Sequence, residues 1–167
     1  MKLYIVRHGE APKGASAGSP DATRPLTNRG EEDVAAMGKF LGRVDGRVRQ
    51  ILASPLARAQ KTGEILASFL GDGVQLKQTD NLAPGFRSRP LLDEISGLSA
   101  EPSIVLVGHQ PDLSILLSSL IGGGTPGSIG FVPGAAAAVE YDPGSRVGKS
   151  TLLWFLSPET ARRIDSQ

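Results

Sequence analysis

The chain contains no cysteine and only two histidines in 167 residues, and both scarcities narrow the chemistry open to it. Without cysteine there are no disulfides, no thiolate nucleophile and no sulfur-rich metal site. Two histidines, with no paired carboxylates at ligand spacing, argue against a zinc centre. Aromatic residues make up 5% of the chain and are not interleaved with basic clusters, while 18 basic residues nearly cancel 17 acidic ones. That balance disfavours a nucleic-acid surface. Membrane-length apolar runs are missing as well: the apolar fraction, 40%, is enough for a core but is distributed in strand-sized pieces. Met1-Lys2 leads straight into a short strand-like run ending at Arg7, too short for a signal-peptide core, so a cytoplasmic location is the default expectation.

The length fits one compact domain covering residues 1–167. Strand-like apolar runs occur at 2–6, 49–53, 103–108, 135–141 and 150–156, with a weaker one near 74–78. Between them, apolar residues step by three and four: Val34, Met37, Leu41 and Val44; Leu56, Ala59, Gly63, Leu66 and Leu70; Leu113, Leu116, Leu117 and Leu120. Thr27 and the pair Ser54-Pro55 stand where two of these helices should start, and Gly71 and Gly122 where helices should stop. The alternation predicts an α/β fold, a three-layer sandwich with a mostly parallel central sheet and helices on both faces. The Gly/Pro/Ser-rich stretches at 12–20, 122–134 and 142–148 are expected to be loops within that domain.

Against this frame, Arg7-His8-Gly9 stands out, because it puts a cation and an imidazole at the end of a strand-like run. Carboxyl ends of strands are where α/β sheets bind ligands. Arg7 offers a planar fork of donors suited to a phosphate dianion. The second histidine, His109, follows the apolar run Ile104 to Gly108 in the same way, so one shared site is expected. Arg58 lies in the first turns of the helix that follows Ser54-Pro55, and a helix start favours anions. Two guanidinium groups and two imidazoles would then hold a tetrahedral dianion.

Together, Arg7-His8-Gly9-Glu10-Ala11, Arg24-Pro25-Leu26-Thr27, the stretch Ser54-Pro55-Leu56-Ala57-Arg58-Ala59-Gln60-Lys61-Thr62 and Gly108-His109-Gln110-Pro111 resemble the histidine phosphatase superfamily, also called phosphoglycerate-mutase-like. The likeness extends over nearly the whole chain and is greatest to the short SixA-type phosphohistidine phosphatase branch. The resemblance implies that His8 is the nucleophile and carries the phosphoryl group before water removes it, and that Arg7, Arg58 and His109 bind the phosphoryl oxygens. It also places Arg24 near the pocket, although Arg24 could instead be a surface residue ahead of Thr27. The role of Glu10 stays open. No cofactor and no metal are implied.

Two further features bear on function. Gly144-Ser145-Arg146-Val147-Gly148-Lys149-Ser150 is like a phosphate loop, but it has three residues between its glycines where four are needed, and a strand-like run follows it. A hairpin turn is the expected reading. Larger members of the resembled family carry an insertion with a glutamate that protonates the leaving oxygen, whereas the segment Asp80 to Leu98 is short here; Asp80, Asp93 and Glu94 are its candidate acids. A general acid is worth on the order of 10²–10⁴ in rate, most of all for poor leaving groups. A phosphohistidine leaves as imidazole and needs less help, so the expected substrate is a phosphohistidine protein. The alternatives are a small phosphomonoester or sugar phosphate, or a weakly catalytic phosphate-recognition module.

Overall fold

The computed structural model describes residues 1–12, 21–122, 129–144 and 148–165. Six strands form one sheet: Lys2–Arg7 (β1), Val48–Ala53 (β2), Gln75–Gln78 (β3), Ser103–Gly108 (β4), Ala136–Glu140 (β5) and Thr151–Leu156 (β6). Their order is β3-β2-β4-β1-β5-β6. The first four neighbours pair in parallel, and β5 runs antiparallel to both β1 and β6. Each central strand carries a continuous apolar run because it is covered on both faces. Alternation then decides which residue meets which helix.

Leu3, Ile5, Leu52, Ile104 and Leu106 point to one face, where Leu91, Leu92 and Ile95 of Ser88–Ser96 (α3) and Leu113, Leu116, Leu117 and Leu120 of Asp112–Ile121 (α4) cover them. Tyr4, Val6, Ile51, Val105 and Val107 point to the other, under Asn28–Val44 (α1), Ala57–Leu70 (α2) and Pro158–Asp165 (α5). This is the expected three-layer arrangement. Thr27 caps α1 as its sequence position suggests, accepting the Gly30 N–H at 2.9 Å. Gly122 ends α4 at φ +67°, a conformation open to glycine but strained for other residues. Two helices, α3 and α5, do not figure among the expected ones.

The topology also creates a crevice. β1 and β4 lie side by side, yet α1 leaves β1 toward one face and α4 leaves β4 toward the other. Helices diverging from adjacent parallel strands open a gap at the carboxyl ends of those strands. Ser150 and Lys149 of the loop-like motif lead into β6 with no helix after them, so no helix N-terminus faces that stretch; its residues 145–147 fall outside the described ones, as do 13–20 and 123–128 of the other loop-like stretches.

Candidate active site

Register sets the distance between the two histidines. Arg7 pairs with Gly108 across β1 and β4, so His8 and His109 emerge next to each other at the crevice. Their ring centroids are 4.9 Å apart. The His8 backbone N–H continues the ladder by donating to the Gly108 carbonyl, and the Ser54 N–H donates to that of Val107, which adds the end of β2 to the same floor. Arg58, the second residue of α2, follows from there. Arg7, His8, Arg24, Arg58 and His109 thus line one cavity of about 560 Å³, together with Glu10, Asp21, Pro84 and Gln110 among others.

Close packing holds the Arg7-His8-Gly9 turn. A Cβ on Gly9 would lie 2.8 Å from both the Gly30 carbonyl oxygen and Val34, so only glycine lets α1 approach. The Gly9 N–H donates to Thr62 Oγ1 of α2 at 3.1 Å, and Thr62 in turn donates to the Arg58 carbonyl at 2.7 Å. Thr62 therefore ties the histidine turn to the helix that carries Arg58.

The histidines have defined ring partners. His8 Nδ1 lies 2.7 Å from the Gly9 carbonyl oxygen, which can only accept, so Nδ1 carries the hydrogen and Nε2 keeps its lone pair. Arg58 Nε donates to that Nε2 at 3.3 Å. Burial lowers the His8 pKa to about 4; the Gly9 bond opposes this, and the charges of Arg58, Arg7 and Arg24 add to it. His109 is lowered to about 3, first by burial and then by His8 and Arg58. Both rings are neutral at neutral pH. His109 Nε2 shares a 2.7 Å hydrogen bond with the buried Ser54 hydroxyl.

The arginines are held by backbone. Arg7 donates to the Phe131 carbonyl at 2.6 Å, and Arg24 donates to that of Pro12. Asp21, in a single 3-10 turn at Asp21–Thr23, engages two of them: its Oδ2 accepts from Arg58 at 3.1 Å and its Oδ1 pairs with Arg24. Three buried polar atoms have no hydrogen-bond partner among the described residues: Arg7 Nε, Arg24 Nε and His109 Nδ1. All three belong to residues that line the cavity. Among the described residues, no group of three or more His, Asp or Glu side chains could hold a metal ion.

The candidate acids of the 80–98 segment are absent from the cavity lining. Glu94 accepts from Thr79, Asn81 and Lys77, pinning α3 to the end of β3, and those bonds outweigh its partial burial to hold it below the usual carboxylate range. Asp93 pairs with Arg89 one turn away. The carboxylates that do line the cavity are Glu10, which accepts from the Thr27 hydroxyl at 3.0 Å, and Asp21. Ser54 stands two residues ahead of Leu56, the N-cap of α2, and its hydroxyl accepts the Leu56 N–H at 3.4 Å while also bonding His109.

A family model described as histidine phosphatase superfamily (branch 1) matches residues 3–83. The phosphohistidine phosphatase SixA of Escherichia coli is 28% identical over 160 residues, covering 95% of this chain and 94% of its own. A solved structure of the protein histidine phosphatase SixA complexed with tungstate superposes with a TM-score of 0.84 at 27% identity, covering 96% of this chain and 99% of that one. The chain belongs to the histidine phosphatase superfamily. An uncharacterised protein of Picosynechococcus sp. is 37% identical over 167 residues, covering 93% of this chain and 99% of that protein. As a histidine phosphatase, the protein is an enzyme, and its fold is that of the SixA and phosphoglycerate-mutase-like members. No helix among the described residues is long and apolar enough to cross a membrane.

Proposed function

We propose that the protein removes phosphoryl groups from phosphohistidine side chains of proteins through a covalent intermediate on His8. The observation that carries this reading is the His8 tautomer: Nδ1 is committed to the Gly9 carbonyl, so Nε2 offers a lone pair at neutral pH inside a ring of guanidinium groups. The Nε2 lone pair attacks phosphorus as the bond from phosphorus to the substrate nitrogen breaks. A substrate ring protonated on its other nitrogen leaves as neutral imidazole and takes no proton from the enzyme. Water then attacks the phosphoryl group on His8, which departs as dihydrogen phosphate and returns the ring to its starting form.

Arg7, Arg58 and His109 are the proposed ligands of the phosphoryl oxygens, with Arg24 at the rim. Orienting the group and offsetting charge is most of the work in such a transfer. Arg7 Nε, Arg24 Nε and His109 Nδ1 are polar atoms of this lining whose hydrogen-bonding capacity no other described residue uses. The substrate side of the proposal rests on the carboxylates. Asp21 is held as an anion by two arginines, Glu10 accepts from Thr27, and Asp80, Asp93 and Glu94 do not line the cavity. A site built this way favours leaving groups that need no proton.

The test is rapid quench with a radiolabelled phosphoprotein and with aryl and sugar phosphates. The expected result is acid-labile, alkali-stable label on His8, absent in His8→Ala, and kcat/KM that falls steeply as the leaving group becomes more basic. Label on a serine refutes the covalent step. Sugar phosphates cleaved as fast as phosphohistidine protein refute the substrate class.

A further inference from the structure

One side chain already does in this site what a phosphoryl group would do. Asp21 presents two carboxylate oxygens to two guanidinium groups, Oδ1 to Arg24 and Oδ2 to Arg58 at 3.1 Å, and its backbone carbonyl accepts from Arg58 at 2.9 Å. Two oxygens on one carbon, spanning two arginine forks at the mouth of a cavity that contains both histidines, match the acceptor arrangement of two oxygens on phosphorus. Asp21 is also free to leave. Its side chain is 59% exposed, and it sits on a turn of three residues with no buried member.

We propose that Asp21 is an internal anionic ligand of the phosphate pocket, occupying Arg24 and Arg58 until a phosphoryl group displaces it, and that it thereby raises the affinity any anion needs to enter, which keeps weakly held carboxylates out at ordinary concentrations. A free carboxylate offers the arginines the same two oxygens and the same single charge as Asp21. Asp21, tethered nearby, wins that contest by effective concentration. A phosphoryl dianion brings a second charge and a third oxygen, for which Arg7 and His109 are available. The carboxyl of Asp21 remains ionised throughout: partial desolvation pushes it up, but its bonds to Arg24 and Arg58 outweigh that and hold it below its ordinary value.

The proposal rests on the reading of this cavity as a phosphoryl site. Its test measures competitive inhibition by orthovanadate and by acetate, together with KM and kcat for an aryl phosphate and for a sugar phosphate, in the wild type, Asp21→Asn, Asp21→Ala and Glu10→Gln. If the arginines are occupied most of the time, freeing them lowers the apparent inhibition constant for vanadate by roughly five- to thirtyfold, since apparent affinity scales with the competent fraction. KM should fall with it, and acetate should become a measurable inhibitor in both Asp21 variants. Glu10→Gln removes an equal charge from the same lining without freeing an arginine and should change the vanadate constant by less than about twofold.

Weaker vanadate binding in the Asp21 variants would show that Asp21 merely positions the arginines and overturns the proposal. An equal gain in Glu10→Gln also overturns it, because the effect would then be general charge repulsion. A selective loss of kcat on sugar phosphates with KM unchanged would make Asp21 a proton donor, which is again incompatible. Failure of vanadate to inhibit the wild type would sink the phosphoryl site itself, an outcome distinct from the other three.

Discussion

Titration of His8 offers the most direct check on the physical argument for the nucleophile. An ordinary imidazole, with a pKa of about 6.5, would be about 9% neutral at pH 5.5. With burial and three nearby guanidinium groups lowering it to about 4, His8 is about 97% neutral at that pH, a tenfold difference in available nucleophile. Because the chain has only two histidines, ring-proton NMR resolves both, and His8→Gln assigns them. Neither signal should shift between pH 8 and 5.5, and the His8 midpoint should lie near 4. Stability should follow in a defined direction. The folded pKa lies below the unfolded one, so between pH 6.5 and 4 the unfolded chain takes up a proton that the folded chain excludes, and stability falls as the pH falls. Two and a half pKa units correspond to roughly 3 kcal/mol, which His8→Gln should remove from the acid slope of urea unfolding. A midpoint between 6 and 7 would refute the buried, cation-flanked environment.

Arg58→Ala should lower kcat/KM and vanadate affinity about ten- to a hundredfold, the usual loss of a charge-assisted bond, and full activity in steady-state assay would remove Arg58 from the pocket. A chelator should leave turnover unchanged, and strict dependence on added metal would contradict the arginine-based site. Gly30→Ala places a Cβ against the Glu10 carbonyl at the start of α1; overpacking of about 1–3 kcal/mol should lower Tm by roughly 3–10 °C in a thermal scan, and an unchanged Tm would refute the close approach. Asp45→Ala strips the acceptor from Tyr4 (2.8 Å) and Ser103 (2.6 Å) at the amino end of the sheet. It should cost about 2–4 kcal/mol in denaturant unfolding while leaving kcat/KM unchanged, and the converse pattern would refute a purely structural role. Burial raises the Asp45 carboxyl, but its hydrogen bonds overcome this and hold it at about 2, so its stabilisation is present above pH 4 and lost as pH falls toward 2.

What could be read from the sequence follows the range of the interactions involved. β1, β2 and β4 are legible because each is covered on both faces and so carries a continuous apolar run, Leu3 to Val6, Ile51 to Ala53 and Ile104 to Val107. α5 has little to signal it, since Ala161 is its fully buried residue and Ile164 remains exposed. Its start was nonetheless marked: Ser157 precedes Pro158 and accepts the Thr160 N–H at 3.2 Å, a cap followed by proline at the first helical position. α3 carries Leu91, Leu92 and Ile95 at helical spacing, but over nine residues this amounts to a single apolar turn. His8, His109, Arg7 and Arg58 were recognisable as a set because each stands at the end of a strand or the start of a helix. Asp21 and Ser54 were not, because their partners Arg58 and His109 are 37 and 55 residues away along the chain. No local pattern announces such a pairing.

Because the two histidines are spaced by the β1–β4 ladder, their separation cannot be tuned by any loop. A one-residue slip of β1 would send Leu3 and Ile5 to the face now held by Tyr4 and Val6, so the core on both sides defends the 4.9 Å spacing of the imidazoles. The mouth of the cavity is made differently, from Glu10 to Pro12, Asp21, Arg24, Pro84 and Pro133, none of which belongs to a strand. Floor and mouth are therefore separable parts. Loop exchange at the mouth can redirect which phosphorylated molecule is admitted without altering the reaction below, and chimeras made there should keep their chemistry while changing their customers.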